Sequence, residues 1–185
     1  MISVRKYEKK DKEALREICI ETSAFNVGAK NMKKFLCLMF NDYYTEVEGD
    51  NCFVAVDEND NAVGYLICAK NFDEYYKIFK HFYQPEIDSL GLKYALMSRS
   101  EILIHKLFSK KYPAHLHIDL TAACRRQGVG SKLISALKDD LKSKGVNSLM
   151  LSCGASNEAA VKFYKKNGFE IVKNFMGSYI MAIEF

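Results

Sequence analysis

Arg125-Arg126-Gln127-Gly128-Val129-Gly130-Ser131, continuing into an amphipathic run that ends at Gly145, is the stretch on which the reading of this 185-residue chain turns. Two glycines one residue apart let the backbone turn tightly and approach a ligand closely, because no Cβ intervenes. From Gly128 onward, Val129, Leu133, Ile134, Leu137 and Leu141 recur at helical spacing, and Gly145 stands where a helix over 128–144 would end. The first turn of such a helix offers unpaired N–H groups and the positive end of its dipole, which suits a phosphate. Arg125 and Arg126 add positive charge at the mouth. Two phosphate loops are excluded. No G-K-[ST] is present, as a P-loop requires, and the third glycine of the dinucleotide fingerprint is missing. By itself a G-x-G turn is a weak signal, since many such turns only connect elements.

Outward from this turn, 114–120 reads as the strand that feeds it. Downstream come a buried strand at 148–152, a helix at 156–167 capped by Ser156 or Asn157 and stopped by Gly168, and closing strands at 169–172 and 179–183. Upstream, 2–6 alternates like a strand, and Asp11 can cap a helix with Ala14, Leu15, Ile18 and Cys19 on one face. A second helix is expected over 31–44, with Met32, Phe35, Leu36, Met39 and Phe40 on one side, and a hairpin pairs 52–56 with 62–69. Residues 71–111 differ: aromatic and charged, broken near Gln84-Pro85 and again at Gly91, they predict two inserted helices at 73–83 and 92–110. No repeat or flexible linker divides the chain, so residues 1–185 are expected to form one domain. The fold class is α/β (α+β), a mixed, mainly antiparallel central sheet with helices on both faces and the 71–111 insertion before the fourth strand.

The strand 114–120 has one unusual face. Alternation puts His115, His117 and Asp119 on one side and Leu116, Ile118 and Leu120 on the other. A central strand covered on both sides should be apolar on both, so three titratable groups in a row cost stability unless paired or lining a cavity. Three readings stand: a metal site, a structural network, or the lining of an active site in which a base accepts an amine proton. Histidine has the right unperturbed pKa for the last.

Composition narrows the classes. The chain is 49% hydrophobic and 27% charged, as expected of a globular protein rather than a disordered one. A net charge of +4 is spread along the sequence, with no basic block interleaved with aromatics, so nucleic acid is not an expected partner. Six scattered cysteines without a C-x-x-C read as a reducing compartment, not a disulfide framework. Residues 1–10 lack the apolar core of a signal peptide and no apolar run reaches membrane-span length, so the expectation is a cytoplasmic protein away from membranes.

The R-x-x-G-x-G run at Arg125–Gly130, after a strand and opening a helix, resembles the pyrophosphate loop of GNAT acetyltransferases. Further on, Asn157-x-x-Ala160 followed by Phe163-Tyr164-x-x-x-Gly168-Phe169 resembles the second motif of the same superfamily. The resemblance is firm from 114 to 172, follows element order over 1–69 and is weakest over 71–111. Residues 112–119, Tyr-Pro-Ala-His-Leu-His-Ile-Asp, also resemble the acetyltransferase-like branch found as C-terminal domains of O-GlcNAc hydrolases.

The resemblance implies an N-acetyltransferase that moves an acetyl group from acetyl-CoA directly to a primary amine, with no metal. It implies that the amides of Gln127, Gly128, Val129, Gly130 and Ser131 hold the pyrophosphate beside Arg125 and Arg126. Leu120 and Ala122 would run along the pantetheine arm through their main chain, and Asn157 would meet the cofactor. The family often has proline where Ala122 stands. Tyr164 would protonate the departing thiolate, as a phenol of pKa near 10 can, and the base would be His117 or Asp119. The alternative is a catalytically weak acetyl-CoA-binding module that uses the aromatics of 72–83 to hold a partner. The acceptor carries no motif; Asp42, Glu46 and Glu48 are either an acidic acceptor patch or a solvated loop. The chain would be a monomer or a homodimer, the latter pairing through the strand at 179–183.

Overall fold

The computed structural model describes residues 1–175 and 177–185. Its sheet is built from β1 (Ser3–Lys6), β2 (Phe53–Val56), β3 (Ala62–Ala69), β4 (Ala114–Leu120), β5 (Ser148–Gly154), β6 (Glu170–Phe175) and β7 (Ser178–Glu184), in the order β1-β2-β3-β4-β5-β7-β6. Every neighbouring pair is antiparallel except β4 and β5, which run parallel. The expected mixed, mainly antiparallel sheet is therefore the one the chain forms. Around it lie α1 (Lys12–Thr22), α2 (Met32–Cys37), α3 (Tyr43–Val47), α4 (Phe72–Phe82), α5 (Gln84–Ser89), α6 (Leu92–Phe108), α7 (Val129–Ser143) and α8 (Glu158–Lys166).

Strand periodicity divides the core in two. On β3, Tyr65, Ile67 and Ala69 join Leu15, Phe35, Tyr44, Tyr75 and Phe79 on one face. Leu66 and Cys68 point the other way, to Leu116, Leu133, Leu137, Leu149 and Leu151. The first face is covered by α1 to α6, the second by α7 and α8. The aromatic residues of the insertion belong to the first core: Phe72, Tyr75, Phe79 and Tyr83 are buried, and only Phe82 of this group is mainly exposed.

Several local expectations are corrected. Asp11 does not cap α1 with its side chain; its carboxylate turns back to Arg5 at 2.7 and 2.9 Å and to the Glu8 N–H. The helix expected over 31–44 contains a π-helical turn, Leu38–Asp42, between α2 and α3. The insertion holds three helices rather than two, because Pro85 sits in the first turn of α5, where its missing N–H costs nothing. Asp42, Glu46 and Glu48 form neither an acceptor patch nor a solvated loop. Asp42 is clamped by Arg16, Glu46 by Lys12 and Tyr83, and Glu48 by Tyr43 and Asn51. Finally, β7 lies between β5 and β6, so the exposed sheet edges are β1 and β6 and the 179–183 strand has no free edge to offer a second copy. All six cysteines are free and buried.

Candidate active site

The site begins where β4 and β5 part. Their register pairs are Ala114 with Leu149 and His115 with Met150, and pairing goes no further. On its other side β4 stays paired to β3 as far as Leu120. The Thr121 N–H donates to the Val63 carbonyl on β3, so alternation turns the main-chain groups of Ile118 and Leu120 toward the gap. The Leu120 carbonyl accepts from Arg125 Nε at 2.9 Å, which leaves the Leu120 N–H directed into the wedge.

At the wide end of the wedge stands the N-terminus of α7. Gly128 is its N-cap at φ 76°, a left-handed conformation that favours glycine, and no side chain caps the helix. Lys132 N–H bonds the Gly128 carbonyl, so the amides of Val129, Gly130 and Ser131 are the ones intrahelical geometry leaves over. Arg126 also has positive φ, 63°, and the Gln127 side chain stitches the turn by donating to the Ala123 carbonyl. Ala122, Arg125, Arg126, Gln127 and Gly128 are exposed. The two glycines do different work, contrary to the expectation that both make room for a ligand. A Cβ on Gly128 would meet open space, whereas one on Gly130 would come within 2.8 Å of Phe163 and 3.3 Å of Leu120. Gly130 lets α7 pack against α8.

α8 brings up the other wall. Asn157 is its N-cap, and Oδ1 accepts from the Ala160 N–H, so a ligand would meet the amide nitrogen of this residue. Tyr164 packs between Phe163 and Phe169. Burial pushes its phenol upward, with smaller contributions from Cys153 and Asp119, so it stays protonated at neutral pH.

The polar face of β4 meets the first core. Tyr65, directly across on β3, donates to Asp119 at 2.5 Å. Tyr44 bridges the histidines: its hydroxyl lies 3.0 Å from His117 Nε2 and 3.0 Å from His115 Nε2. Phe40, from the π turn, packs edge-on against His117, and His105 from α6 lies beside His115. Burial is the main cause of every shift here. It lowers His117 to about 3 and His115 well below its ordinary value, with His105 adding repulsion to both, and it raises Asp119 against the opposing bond from Tyr65. His115 is buried, while His117 and Asp119 remain partly exposed. The face is thus bonded through Tyr44 at its inner end, where His115 Nδ1 and His105 Nε2 find no partner among the described residues, and partly exposed at its outer end. His117 keeps none of the near-neutral pKa that its residue type suggests. Among the described residues, no three metal-ligating side chains cluster as a metal site.

Tyr44, Tyr65, Phe40 and His105 were not legible as site residues. Their partners are distant in sequence, 71 and 73 residues away for Tyr44. The only local sign was the cost of placing three titratable groups on one strand face.

Residues 13–169 match the acetyltransferase (GNAT) family. Among solved structures, SsHAT is similar over 99% of this chain and 98% of its own, with 22% identity and a TM-score of 0.88. A polyamine N-acetyltransferase of Drosophila melanogaster, described as forming N-acetylagmatine, is similar over 100% of both chains, with 13% identity and a TM-score of 0.69. A PaiA N-acetyltransferase of Thermoplasma acidophilum, in complex with coenzyme A, is similar over 100% and 99%, with 15% identity and a TM-score of 0.63. With its two motifs on the walls of one wedge and the family match spanning most of the sequence, the chain belongs to the GNAT acetyltransferase family.

Proposed function

We propose that residues 1–185 act as one N-acetyltransferase domain that moves the acetyl group of acetyl-CoA to a primary amine by direct transfer. One observation carries this reading: β4 and β5 stop pairing after His115, and the β4 main chain beyond that point leads into the turn that opens the uncapped start of α7. The amides of Gln127 to Ser131 would hold the pyrophosphate, with Arg126 beside them. The main chain of Leu120 and Ala122 would follow the pantetheine arm, and Asn157 would contact it from α8. The coenzyme A bound to the similar Thermoplasma protein supports the choice of cofactor.

In the reaction, a base drawn from the pair His117 and Asp119 takes the proton of the substrate ammonium. The free amine attacks the thioester carbonyl, and the Leu120 N–H stabilises the oxyanion. Tyr164 then gives its proton to the thiolate of coenzyme A, and the second proton, shed by the attacking nitrogen as the amide forms, restores the Tyr164 phenol through solvent. The polyamine acetyltransferase among the similar structures supports an amine acceptor as a class. A cytoplasmic setting, without nucleic-acid or membrane partners, and a monomeric or homodimeric state complete the reading. Among the described residues, no helix is long and apolar enough to cross a membrane. Kinship with the O-GlcNAc hydrolase branch rests on residues 112–119. The alternative of a non-catalytic module loses its expected partner surface, because most of the aromatic stripe lies in the core.

The test has two steps. Acetyl-CoA at 100 times its Kd should raise stability by about 2.7 kcal/mol, and Gly128→Val, which strains the N-cap, should abolish that rise. No thermal shift at millimolar acetyl-CoA refutes the cofactor assignment. Thiol release across a panel of amines and peptides then separates an enzyme from a module that only binds.

A further inference from the structure

The buried acids of this chain are of two kinds. Asp11 and Asp42 each carry an arginine, Arg5 at 2.7 Å and Arg16 at 2.9 Å. Glu48 has no cation but accepts from three neutral donors, Tyr43, Asn51 and the Lys70 N–H. Asp119 fits neither kind. Its Oδ2 accepts from Tyr65 at 2.5 Å, and Tyr65, directly across on β3, is wholly buried. Among the described residues, no group donates to Oδ1, which solvent reaches because Asp119 is partly exposed.

The groups around Asp119 supply no ion-pair partner. On β3, Tyr65 is a neutral donor. On α1, burial keeps the Cys19 thiol protonated, and Thr22 gives its hydroxyl proton to the Ile18 carbonyl at 2.7 Å. His117, two residues back on the same face of β4, is held neutral by burial. Tyr164 on α8 is a protonated phenol. Among the described residues, Arg125 is the one cation that acts on Asp119, and its Nε is committed to the Leu120 carbonyl at 2.9 Å. A carboxylate so placed, with one fixed oxygen and one open, favours a cation from outside.

Resting on the acetyl-transfer reading, we propose that Asp119 Oδ1 seats the ammonium group of the acceptor, that Tyr65 is the positioning residue which locks Oδ2, and that the acceptors are cationic alkylamines rather than neutral amines. The Tyr65 bond opposes the rise that burial imposes on the carboxyl, so it favours the charged form that a cation needs. The ammonium then donates a charge-assisted hydrogen bond to Oδ1, beside His117 on the same strand face. Tyr65 never touches the acceptor and acts only through Asp119.

Thiol release by the full chain, with saturating acetyl-CoA and propylamine, tests this. The low-pH limb of kcat/KM for the amine reports ionisation of the free carboxyl. Removing a donor from a charged group raises its pKa, so Tyr65→Phe should move that limb upward by about one to two pH units. The loss is then about 10- to 100-fold below the limb and vanishes above it. An equal loss at every pH overturns the proposal. The position of the limb does not depend on how much of the variant folds. Asp119→Asn should raise KM for propylamine at least about 10-fold, and adding Tyr65→Phe to it should cost nothing further. A second full loss in the double mutant makes Tyr65 mere core packing and also overturns the proposal. A wild-type chain that binds acetyl-CoA but releases no thiol with any amine defeats the transfer reading instead. Carbon-13 NMR of the Asp119 carboxyl then decides the seat: excess propylamine, charged at neutral pH, should lower its titration midpoint, and an unmoved midpoint overturns it.

Discussion

The two walls of the site are made of different material. The α7 wall is main chain: a left-handed glycine, an uncapped helix start and the exposed turn before it, all within residues 122–131. The β4 wall is side chain, assembled from π turn, α3, β3 and α6, which meet only in the folded protein. A backbone site tolerates substitution of its side chains but not of its conformation. A side-chain site behaves in the opposite way. Perturbing each wall separately should therefore split cofactor binding from turnover.

The largest split is expected at His117 and Asp119. His117→Gln should lower kcat by about 100- to 10,000-fold, the range of a positioned acid–base group, and Asp119→Asn should fall at the lower end of that range. Acetyl-CoA affinity should stay within about twofold, since the α7 amides are untouched. Isothermal titration, melting temperature and thiol release on the same protein check this. If affinity, stability and rate fall together, the polar face is scaffolding, and the contrast between the walls is false.

Tyr164→Phe should give a smaller loss, about 10-fold or somewhat more, because water can replace its proton. The phenol stands on the α8 side, so its loss should be independent of the His117 loss in a double mutant. A large coupling energy would mean that the walls act as one unit.

The walls should also differ in acid. His117 is lowered to about 3 and His115 is lowered too, both chiefly by burial. For an imidazole lowered in the folded state, stability is complete above its unfolded value near 6.5 and is lost as pH falls toward the folded value, because the unfolded chain takes the proton first. Melting temperature should thus fall as pH drops from about 6.5 to about 4, and His117→Gln should make that fall shallower. An unchanged slope would show that these rings are not responsible.

The smallest effect belongs to the outer face of α6. Leu92, Leu96, Leu103 and Leu107 form a stripe there, each more than half exposed. Leu96→Lys should change stability by no more than about 0.5 kcal/mol and leave turnover alone. A larger change would extend the side-chain wall to the far side of the helix that carries His105.

The same contrast explains what could be read from sequence. The β4 boundaries, α7 and its Gly145 stop are set by local periodicity and turn chemistry, so they were legible, as were the strand number and sheet class. Gly130 was recognised for an incomplete reason, because its close neighbour Phe163 lies on another helix. The π turn was hidden because one added residue per turn leaves the apolar pattern of 31–44 nearly intact. Tyr44 was legible only as the last residue of the helix expected over 31–44. Its meaning depends on two histidines seventy residues away, and no window along the chain contains all three.

The parting of β4 and β5 has a mechanical consequence. Only two register pairs stitch the β1–β4 half of the sheet to the β5–β7 half, so cohesion across this seam falls to side-chain packing beneath α7. A cofactor arm threaded into the gap would act as a short guest strand, taking up main-chain groups that the neighbouring strand leaves over. Empty, the seam is the natural hinge line of the sheet; filled, it becomes continuous. Amide hydrogen exchange at Ile118 and Leu120 should accordingly be fast in the free chain and slow markedly on binding, while the fully paired β5–β7 ladder is protected in both states.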